Sequence, residues 1–302
     1  MLLSALFILG AAPDSQAEKK IGVIMTGDIP YYTAIHQAFV AELNRKFAGT
    51  EKIEIILQRP FPNSISWSNA ARKLIAFDVD LIVTYGSPST EAAIFEKSRI
   101  PIVYAGIYEP EHAPVKSRNA TGCGFKVPLS SILRYFKRLK TIDSIAILFS
   151  SIEEDSVRQF ETMQSLAAQQ NIKTEKIDIR SRTDIEKLKA VTSDAVFLTG
   201  SSLAHIWLED IITLLEKERI PVADILPDVT EAGVLMTLYQ PSASQGVLAA
   251  EMAWQILLGA KPSDIAVYTF RDTELVFNKI EARNLGISFP IQLLIEATRI
   301  IE

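Results

Sequence analysis

The chain has 302 residues, of which 48% are hydrophobic and 22% are charged, and its formal net charge is -5 at pH 7. This length and composition predict a globular protein with material for two ordinary cores, and they exclude a disordered or fibrous chain. The negative charge argues against a nucleic-acid partner, because binding phosphates requires clustered Lys and Arg that displace counterions.

The amino terminus has features of an export signal. Residues 2–12 form an apolar run of about h-region length, which is too short to span a bilayer core of about 30 Å. Ser15-Gln16-Ala17 then places small residues at the -3 and -1 positions of a cleavage site. We predict a signal peptide at 1–17, truncated at its amino end because a basic n-region is missing, and hence a periplasmic location. An ordinary buried strand or helix is the alternative for this segment. No cysteine follows the run, so no lipid anchor is predicted.

Two stretches of the chain then repeat one order of predicted strands and helices. The first copy has a helix at about 31–47 and strands at 21–25, 52–58, 80–83 and 100–103. The second copy has a helix at about 155–169 and strands at 145–149, 174–179, 194–197 and 220–223. A repeated order at similar spacing indicates two related domains.

Short apolar strands that alternate with longer helical patterns predict β-α-β units and parallel sheets covered on both faces. We therefore predict an α/β fold of two Rossmann-like lobes with parallel sheets, joined by a hinge as in a clamshell. Beyond the second copy, the pattern predicts a strand at 233–240, a helix at 244–258, an extended crossing at 265–278, and helices at 281–285 and 291–301. The predicted first lobe comprises 18–122 plus about 238–272, and the second lobe comprises 123–237 plus about 273–302.

Ligands of open parallel sheets bind outside the carboxyl ends of the strands. In two facing lobes, the loops at those ends share one cleft. The candidate ligand-binding residues of the first copy are Thr26, Asp28, Tyr31, Ser87, Ser89, Thr90, Tyr108 and Glu109. Those of the second copy are Ser150, Ser151, Ser201, Ser202 and Asp224, and Tyr239 lies further along the chain. For each residue, an ordinary surface or packing role is the alternative.

The segment 86–90 is the most interpretable of these loops. It follows a strand and opens a helix, with Ser87 as a predicted N-cap and Pro88 at the first helical position. The free N–H groups of Ser89 and Thr90 would bind a solute carboxylate or phosphate, since a helix N-terminus attracts anions. A helix cap without a ligand explains the same residues. Glu109 could hold a cationic group beside the aromatic ring of Tyr108.

Metal sites, cofactors and catalysis have little support in the sequence. The single cysteine, Cys123, permits no internal disulfide or thiolate metal cage, and its place in 121–124 predicts a turn. His36, His112 and His205 lack metal-type spacing, and His205 is predicted to cap a helix or contact solvent. The chain contains no G-x-G-x-x-G after its first strand, no P-loop and no G-x-S-x-G elbow. We predict no metal, no cofactor and no enzymatic activity.

Several motifs together carry a resemblance to a known family. They are Gly86-Ser87-Pro88-Ser89 after Leu81-Ile82-Val83, Glu109-Pro110 after Ile100-Pro101-Ile102-Val103, and the segments 119–122, 258–262, 274–278 and 285–290. Over about 20–302 the chain resembles the periplasmic substrate-binding proteins of tryptophan/tyrosine-type ABC transporters. The resemblance implies a type I periplasmic-binding fold, no catalysis, and ligands that in known members include aromatic amino acids.

Two departures from that family bear on the solute. The family commonly has Asp-Pro in place of Glu109-Pro110, and it often has an Asp-Asn pair in place of Gly200-Ser201. The second departure removes polar groups that could recognise an amino acid, and so leaves open a different small solute.

The predicted function is that of an extracytoplasmic solute-binding protein of an ABC importer. It is expected to be a monomer that captures a small polar solute, such as an amino acid or a related compound, by hinge closure and then docks transiently on ABC permease subunits. One alternative is a ligand-sensing clamshell module of a membrane signalling receptor. The other is an α/β enzyme.

Overall fold

A computed structural model describes residues 18–48, 52–227 and 233–302. The predicted signal peptide at 1–17 and Asp228, which ends one of the predicted cleft loops, lie outside these residues. The described chain forms two α/β lobes, one built on a six-stranded sheet and the other on a seven-stranded sheet. The predicted α/β class with two sheets is confirmed.

The first lobe takes its elements from the first part of the chain. In order these are β1 (Glu18–Met25), α1 (Pro30–Phe47), β2 (Lys52–Gln58), α2 (Ser64–Ala76), β3 (Leu81–Tyr85), α3 (Ser87–Phe95), β4 (Ile102–Tyr108) and β5 (Ala120–Phe125). Neighbouring strands of this sheet are all parallel, with β1 between β2 and β3.

The second lobe follows directly. Its elements are α4 (Leu129–Leu139), β6 (Ser144–Phe149), α5 (Glu154–Ala168), β7 (Lys173–Asp178), a 3-10 helix (Arg182–Ala190), β8 (Ala195–Leu198), α6 (Ser202–Ile206), α7 (Leu208–Lys217), β9 (Val222–Asp224) and β10 (Met236–Tyr239). The strands β6 to β10 run parallel, in the order β10-β9-β8-β6-β7.

The last part of the chain contributes to both lobes. Its elements are α8 (Ser242–Leu257), a short 3-10 helix (Pro262–Asp264), β11 (Tyr268–Phe270), β12 (Glu274–Asn278), α9 (Lys279–Leu285), α10 (Ile291–Leu294) and β13 (Arg299–Ile301). Helix α8 packs on α1, and β11 pairs with β5, so both belong to the first lobe. Strand β12 pairs antiparallel with β10 in the second sheet, and β13 lies beside β12.

The alternation of apolar residues along a strand explains how the first sheet is covered. Val23 and Met25 of β1 lie in a core cluster with Ile35 and Phe39 of α1, whereas Ile24 lies in a cluster with residues of α2 and α3. Because successive side chains of a strand point to opposite faces, one apolar run supplies both layers. The strand ends, and the loops that follow them, are thereby held in fixed positions.

Several local predictions are wrong. The sequence predicts that the first lobe ends at 122, but β5 continues to Phe125 and pairs with β4. Cys123 lies inside this strand, not in a turn, and it is fully buried. The predicted return to the first lobe at about 238 falls at the end of β10, which belongs to the second sheet up to Tyr239. The end of the predicted helix 291–301 forms β13, because it pairs with β12.

The N-cap of α2 gives a prediction on the stability of the first lobe. The Asn63 side-chain oxygen accepts a hydrogen bond from the Ser66 backbone N–H at 2.8 Å. Replacing Asn63 with alanine is expected to reduce the free energy of unfolding by about 1 kcal/mol, because that N–H loses its acceptor. Urea denaturation measures the loss. Ser64→Ala, at the exposed next position, serves as the control, and an equal effect of the two changes would contradict the capping role.

Candidate functional site

The strand-end loops of the two lobes face each other and are in contact. Ser87, at the end of β3, bonds to Asp155 at the start of α5 in the other lobe. Gly27, after β1, lies so close to Ser202 that a Cβ built on this glycine would come within 2.8 Å of the Ser202 Cβ. The lobes are therefore closed on one another, and the interlobe cleft, which we define as the space between these loops, is narrow.

The segment 86–90, predicted to bind an anion of the solute, has its donors in use. Helix α3 begins at Ser87, and the N-cap is Gly86, with φ 91°, not Ser87. The Ser89 N–H donates to Thr26 Oγ1 at 3.3 Å, and the Thr90 N–H donates to the Gly86 carbonyl at 3.3 Å. The prediction of free donors at Ser89 and Thr90 is therefore wrong, because hydroxyl and carbonyl oxygens of the same lobe accept from them.

The remaining N-terminal donors of α3 meet a carboxylate of the protein itself. The Ser87 hydroxyl donates to Asp155 Oδ1 at 2.7 Å, and the Ser87 N–H donates to Asp155 Oδ2 at 3.3 Å. Arg158 bonds both to Asp155 and to the carbonyl of Tyr108 at the end of β4. Burial raises the pKa of Asp155, while the Arg158 guanidinium and the Ser87 donors oppose that rise.

A second buried carboxylate occupies the N-terminus of α6. Glu153 is 2% exposed, and it accepts from the Ser201 hydroxyl at 2.6 Å, the Ser202 N–H at 2.8 Å and the Leu203 N–H at 3.0 Å. Burial raises its pKa, and these hydrogen bonds counteract the effect. Ser201 and Ser202, both predicted as ligand-binding residues, are thus engaged by a side chain of their own lobe.

His205 and Asp224 form a buried pair beside this helix. The His205 Nδ1 lies 2.6 Å from the Ser201 carbonyl oxygen, and its Nε2 lies 3.0 Å from Asp224 Oδ2. Since both neighbours are acceptors, the geometry calls for a hydrogen on each ring nitrogen, which makes His205 an imidazolium. Burial lowers the pKa of His205, but the Asp224 carboxylate more than offsets this and the pKa is raised. The predicted capping or solvent role of His205 is wrong, since its ring is enclosed.

A cavity of about 490 Å³ lies between the lobes, next to this pair. The first lobe contributes Ile29, Pro30 and Tyr31 to its wall. The second lobe contributes Arg182, the run from His205 to Asp210, Leu226 and Pro227. The volume falls in the range of small-molecule sites, about 300–1,000 Å³, and a mostly apolar wall with a few polar groups is typical of them.

Gln245 of α8 fixes the position of Tyr31 in this wall. Its Nε2 donates to the Tyr31 hydroxyl at 3.0 Å and to Gln240 Oε1 at 2.6 Å, and its Oε1 accepts from the Gly106 N–H at 2.9 Å. All of these groups are buried or nearly so. Because an unpaired buried amide is costly, this network holds the start of α1 against Gln240, which lies in the connection from β10 of the second lobe to α8 of the first.

Four other predicted residues have partners outside the cavity. Asp28 is exposed and pairs with Arg59 at 3.4 Å, Ser151 bonds to Asp178, Glu109 pairs with Lys126 at 2.5 Å, and the Tyr239 hydroxyl donates to Glu274 at 2.5 Å. Ser150 is buried in the second lobe, and its N–H donates to the Ser156 hydroxyl at 2.9 Å. Of the predicted site residues, only Tyr31 lines the cavity of about 490 Å³, whereas Ser151 lines a smaller one of about 330 Å³ that also has walls from both lobes.

Three charged residues at the start of α5 were not among the predicted site residues, although two of them bond across the cleft. Asp155 and Arg158 lie one turn apart on α5, and Glu153 directly precedes that helix. The available signal was a cluster of charged residues just after a fully apolar strand, at the sheet edge where ligands bind. Gln245 carried no local signal, since a glutamine in the first turn of a helix is ordinary in a sequence.

The described residues also bear on metal binding and on membrane-spanning helices. Within them, no group of three or more His, Cys, Asp or Glu side chains could hold a metal ion. None of the helices in the described residues, 18–48, 52–227 and 233–302, is long and apolar enough to cross a membrane.

Comparisons with known proteins agree on the kind of protein that has this architecture. The sequence profile of a family described as ABC transporter substrate binding protein matches residues 48–301. A tyrosine-binding protein of Clostridioides difficile is 22% identical over 279 residues, which cover 88% of this chain and 80% of that relative.

Two solved structures show the same fold. A domain from Streptococcus pneumoniae in complex with L-Trp superposes with a TM-score of 0.87 at 23% identity, covering 94% of this chain and 100% of that one. The ligand-free, open structure of a Clostridium difficile substrate-binding protein gives a TM-score of 0.66 at 22% identity, covering 94% of this chain and 99% of that one. The lobes here therefore superpose better on the L-Trp complex than on the open structure.

Proposed function

We propose that this chain, which belongs to the family of ABC transporter substrate-binding proteins, closes its two lobes around a small polar solute and delivers it to the permease subunits of an ABC importer. The observation that carries the proposal is the cavity of about 490 Å³ whose wall comes from both lobes. A solute in that position contacts Tyr31 on one side and the segment from His205 to Asp210 on the other. Its binding therefore favours the closed arrangement over the open one.

The wall of the cavity supports a solute that is partly apolar. Ile29, Pro30 and Leu226 offer apolar surface, and Tyr31 and Trp207 offer aromatic rings. Arg182, Glu209 and Asp210 add charged groups at the rim of the wall. An amino acid or a related compound combines such features, and the tyrosine-binding relative supports that class. We further propose an extracytoplasmic location, a monomeric state and a role without catalysis, as the family suggests.

Solute binding is tested by a thermal-shift screen of amino acids, nucleosides and sugars, with small-angle X-ray scattering on each stabilising compound. A true solute stabilises the protein by about 2.7 kcal/mol at a concentration 100 times its Kd. It also gives a smaller radius of gyration wherever the empty protein is partly open. If no compound stabilises the protein, the proposed function is wrong.

Gly27→Ala provides the matched variant for that screen. The added methyl group would lie 2.8 Å from the Ser202 Cβ across the cleft and 3.1 Å from Pro62 in its own lobe. We expect it to obstruct full closure and to weaken solute binding, while each lobe keeps its fold by circular dichroism. Unchanged affinity in this variant would contradict binding by closure.

Delivery to a permease needs a separate measurement. The closed protein with its solute should raise the ATPase rate of the reconstituted permease complex, whereas the solute alone should not. A rate that does not depend on this protein would favour a sensing role.

A further inference from the structure

The N-terminus of α3 is bound by an anion that belongs to the opposite lobe. Asp155 accepts from both the hydroxyl and the N–H of Ser87, and only 7% of the residue is exposed. Helix N-termini favour negative charge through their free N–H groups and the helix dipole. The position in which a solute carboxylate could sit is therefore filled by a side chain of the protein.

A second contact across the cleft supports this carboxylate. Arg158 follows Asp155 by three residues on α5, so the two side chains share one face of the helix. Arg158 bonds to Asp155 and also reaches the Tyr108 carbonyl of the first lobe. One helical turn of the second lobe thus contacts the start of α3 through a carboxylate and the end of β4 through a guanidinium.

The hydrogen bonds of Asp155 and Arg158 across the cleft are few, but each involves an ionised side chain. A hydrogen bond to an ionised group is about twice as strong as a neutral one. Low local dielectric strengthens such bonds further. The bonds from Ser87 to Asp155 and from Arg158 to the Tyr108 carbonyl form only when the lobes are together, since each joins a residue of the first lobe to one of the second. The Arg158–Asp155 pair lies within α5 and does not depend on closure. The whole contribution of the bonds between the lobes therefore favours the closed arrangement.

We propose that Asp155 is a latch: it holds the lobes together in the absence of solute and competes with acidic groups of a solute for the N-terminus of α3. Holding the lobes together does not depend on the proposed function, whereas the competition rests on it. An acidic solute must displace Asp155 to reach α3, and a solute without such a group need not. The latch thereby makes Asp155 a specificity-determining residue of the cleft.

The chain offers a matched control for this bond. Asp178 accepts from the Ser151 N–H at 2.9 Å and from the Ser151 hydroxyl at 2.8 Å, which is the same pair of bonds to an Asp carboxylate. Both of these residues lie in the second lobe, so their bonds cannot depend on closure. Asp178→Ala should therefore leave the lobe arrangement unchanged.

The test compares the radius of gyration of the solute-free protein by small-angle X-ray scattering. Asp155→Ala removes both bonds to Ser87, and Ser87→Ala removes the hydroxyl bond alone, so both are expected to increase it, the first more than the second. The double variant should add little to the effect of Asp155→Ala, because that change already removes the hydroxyl bond. Circular dichroism establishes that each variant is folded. If the two single variants have the radius of gyration of wild type and of Asp178→Ala, the latch is overturned.

Sodium acetate is the probe for the competition. In Asp155→Ala, acetate can occupy the position that the carboxylate has left, so exchanging chloride for acetate at constant ionic strength should reduce the radius of gyration towards the wild-type value. A variant that opens but responds equally to both salts overturns the competition with acidic groups. Neither measurement uses a transported solute, so a failed solute screen would count against the proposed function and not against the latch.

Discussion

Replacing Asp224 with alanine is expected to lower the free energy of unfolding by about 3–5 kcal/mol, the usual effect of removing one partner of a buried ion pair. The Asp224 carboxylate is fully buried and accepts from His205 Nε2, from the Ile225 N–H and from the Leu226 N–H. Alanine leaves these three donors without their acceptor in a site closed to water. Urea denaturation at pH 6 measures the loss.

The pH dependence of that loss reports on the charge of His205. The pKa of this histidine is raised above 6.5 in the folded protein. Its contribution to stability is therefore fully present below about pH 6.5 and is lost as the pH rises through the folded pKa. The stability difference between wild type and Asp224→Ala should narrow between pH 6 and pH 9. A constant difference would contradict the loss of a proton from His205 over this range.

An exposed ion pair in the same lobe serves as the control. Asp210 bonds to Arg182 at 2.8 Å, but both side chains are largely in solvent. Asp210→Ala is expected to cost less than about 1 kcal/mol, because solvent screens the pair and its ordering costs entropy. Comparable effects of the changes at 210 and 224 would contradict the importance assigned to burial.

Replacing Gly246 with alanine is expected to lower the free energy of unfolding by roughly 1–3 kcal/mol, as overpacked cores do. Gly246 lies in α8 where this helix packs on α1, and a Cβ at this position would be 2.2 Å from the Ile35 carbonyl oxygen. The clash is with backbone, so the two helices must separate to relieve it. The same replacement in an unobstructed helix stabilises by about 1 kcal/mol, so the sign of the effect is diagnostic.

Ser244→Ala on the exposed face of α8 is the control for that prediction. It changes the helix propensity without adding a contact, and its effect should be small. Thermal unfolding of both variants under the same conditions measures the difference. Stabilisation by Gly246→Ala would show that the helices are further apart than the structure places them.

The strands and helices that the sequence predicts well are those marked by a local pattern of apolar residues. The strand at 52–58 agrees with β2 at both ends, and the helix predicted at 31–47 begins one residue after α1 does. Apolar runs bounded by turns are enough to locate such strands. Residues 299–301 show the limit of that reasoning. A short apolar segment suits a helix or a strand, and the neighbouring strand β12 decides in favour of β13.

For the candidate site, the sequence located the loops beside the cleft but not the hydrogen-bond partners of their residues. It placed Ser87, Ser89 and Thr90 at the N-terminus of a helix beside the cleft, as the structure does. It could not show that Ser87 donates to Asp155, which is 68 residues away in sequence, or that Ser89 donates to Thr26, which is 63 residues away. A free donor and an occupied donor look alike in a sequence.

Sequence by itself therefore determined that this protein has two α/β lobes with polar loops at the carboxyl ends of their strands, because hydrophobic periodicity is a property of neighbouring residues. Only the tertiary structure decided which charges meet across the cleft. Asp155 reaches α3, His205 pairs with Asp224, and Tyr31 is held by Gln245. The partners in each of these contacts lie in separate segments of the chain. The packing of whole helices and strands brings them together, and the local pattern of residues in one segment does not reveal that packing.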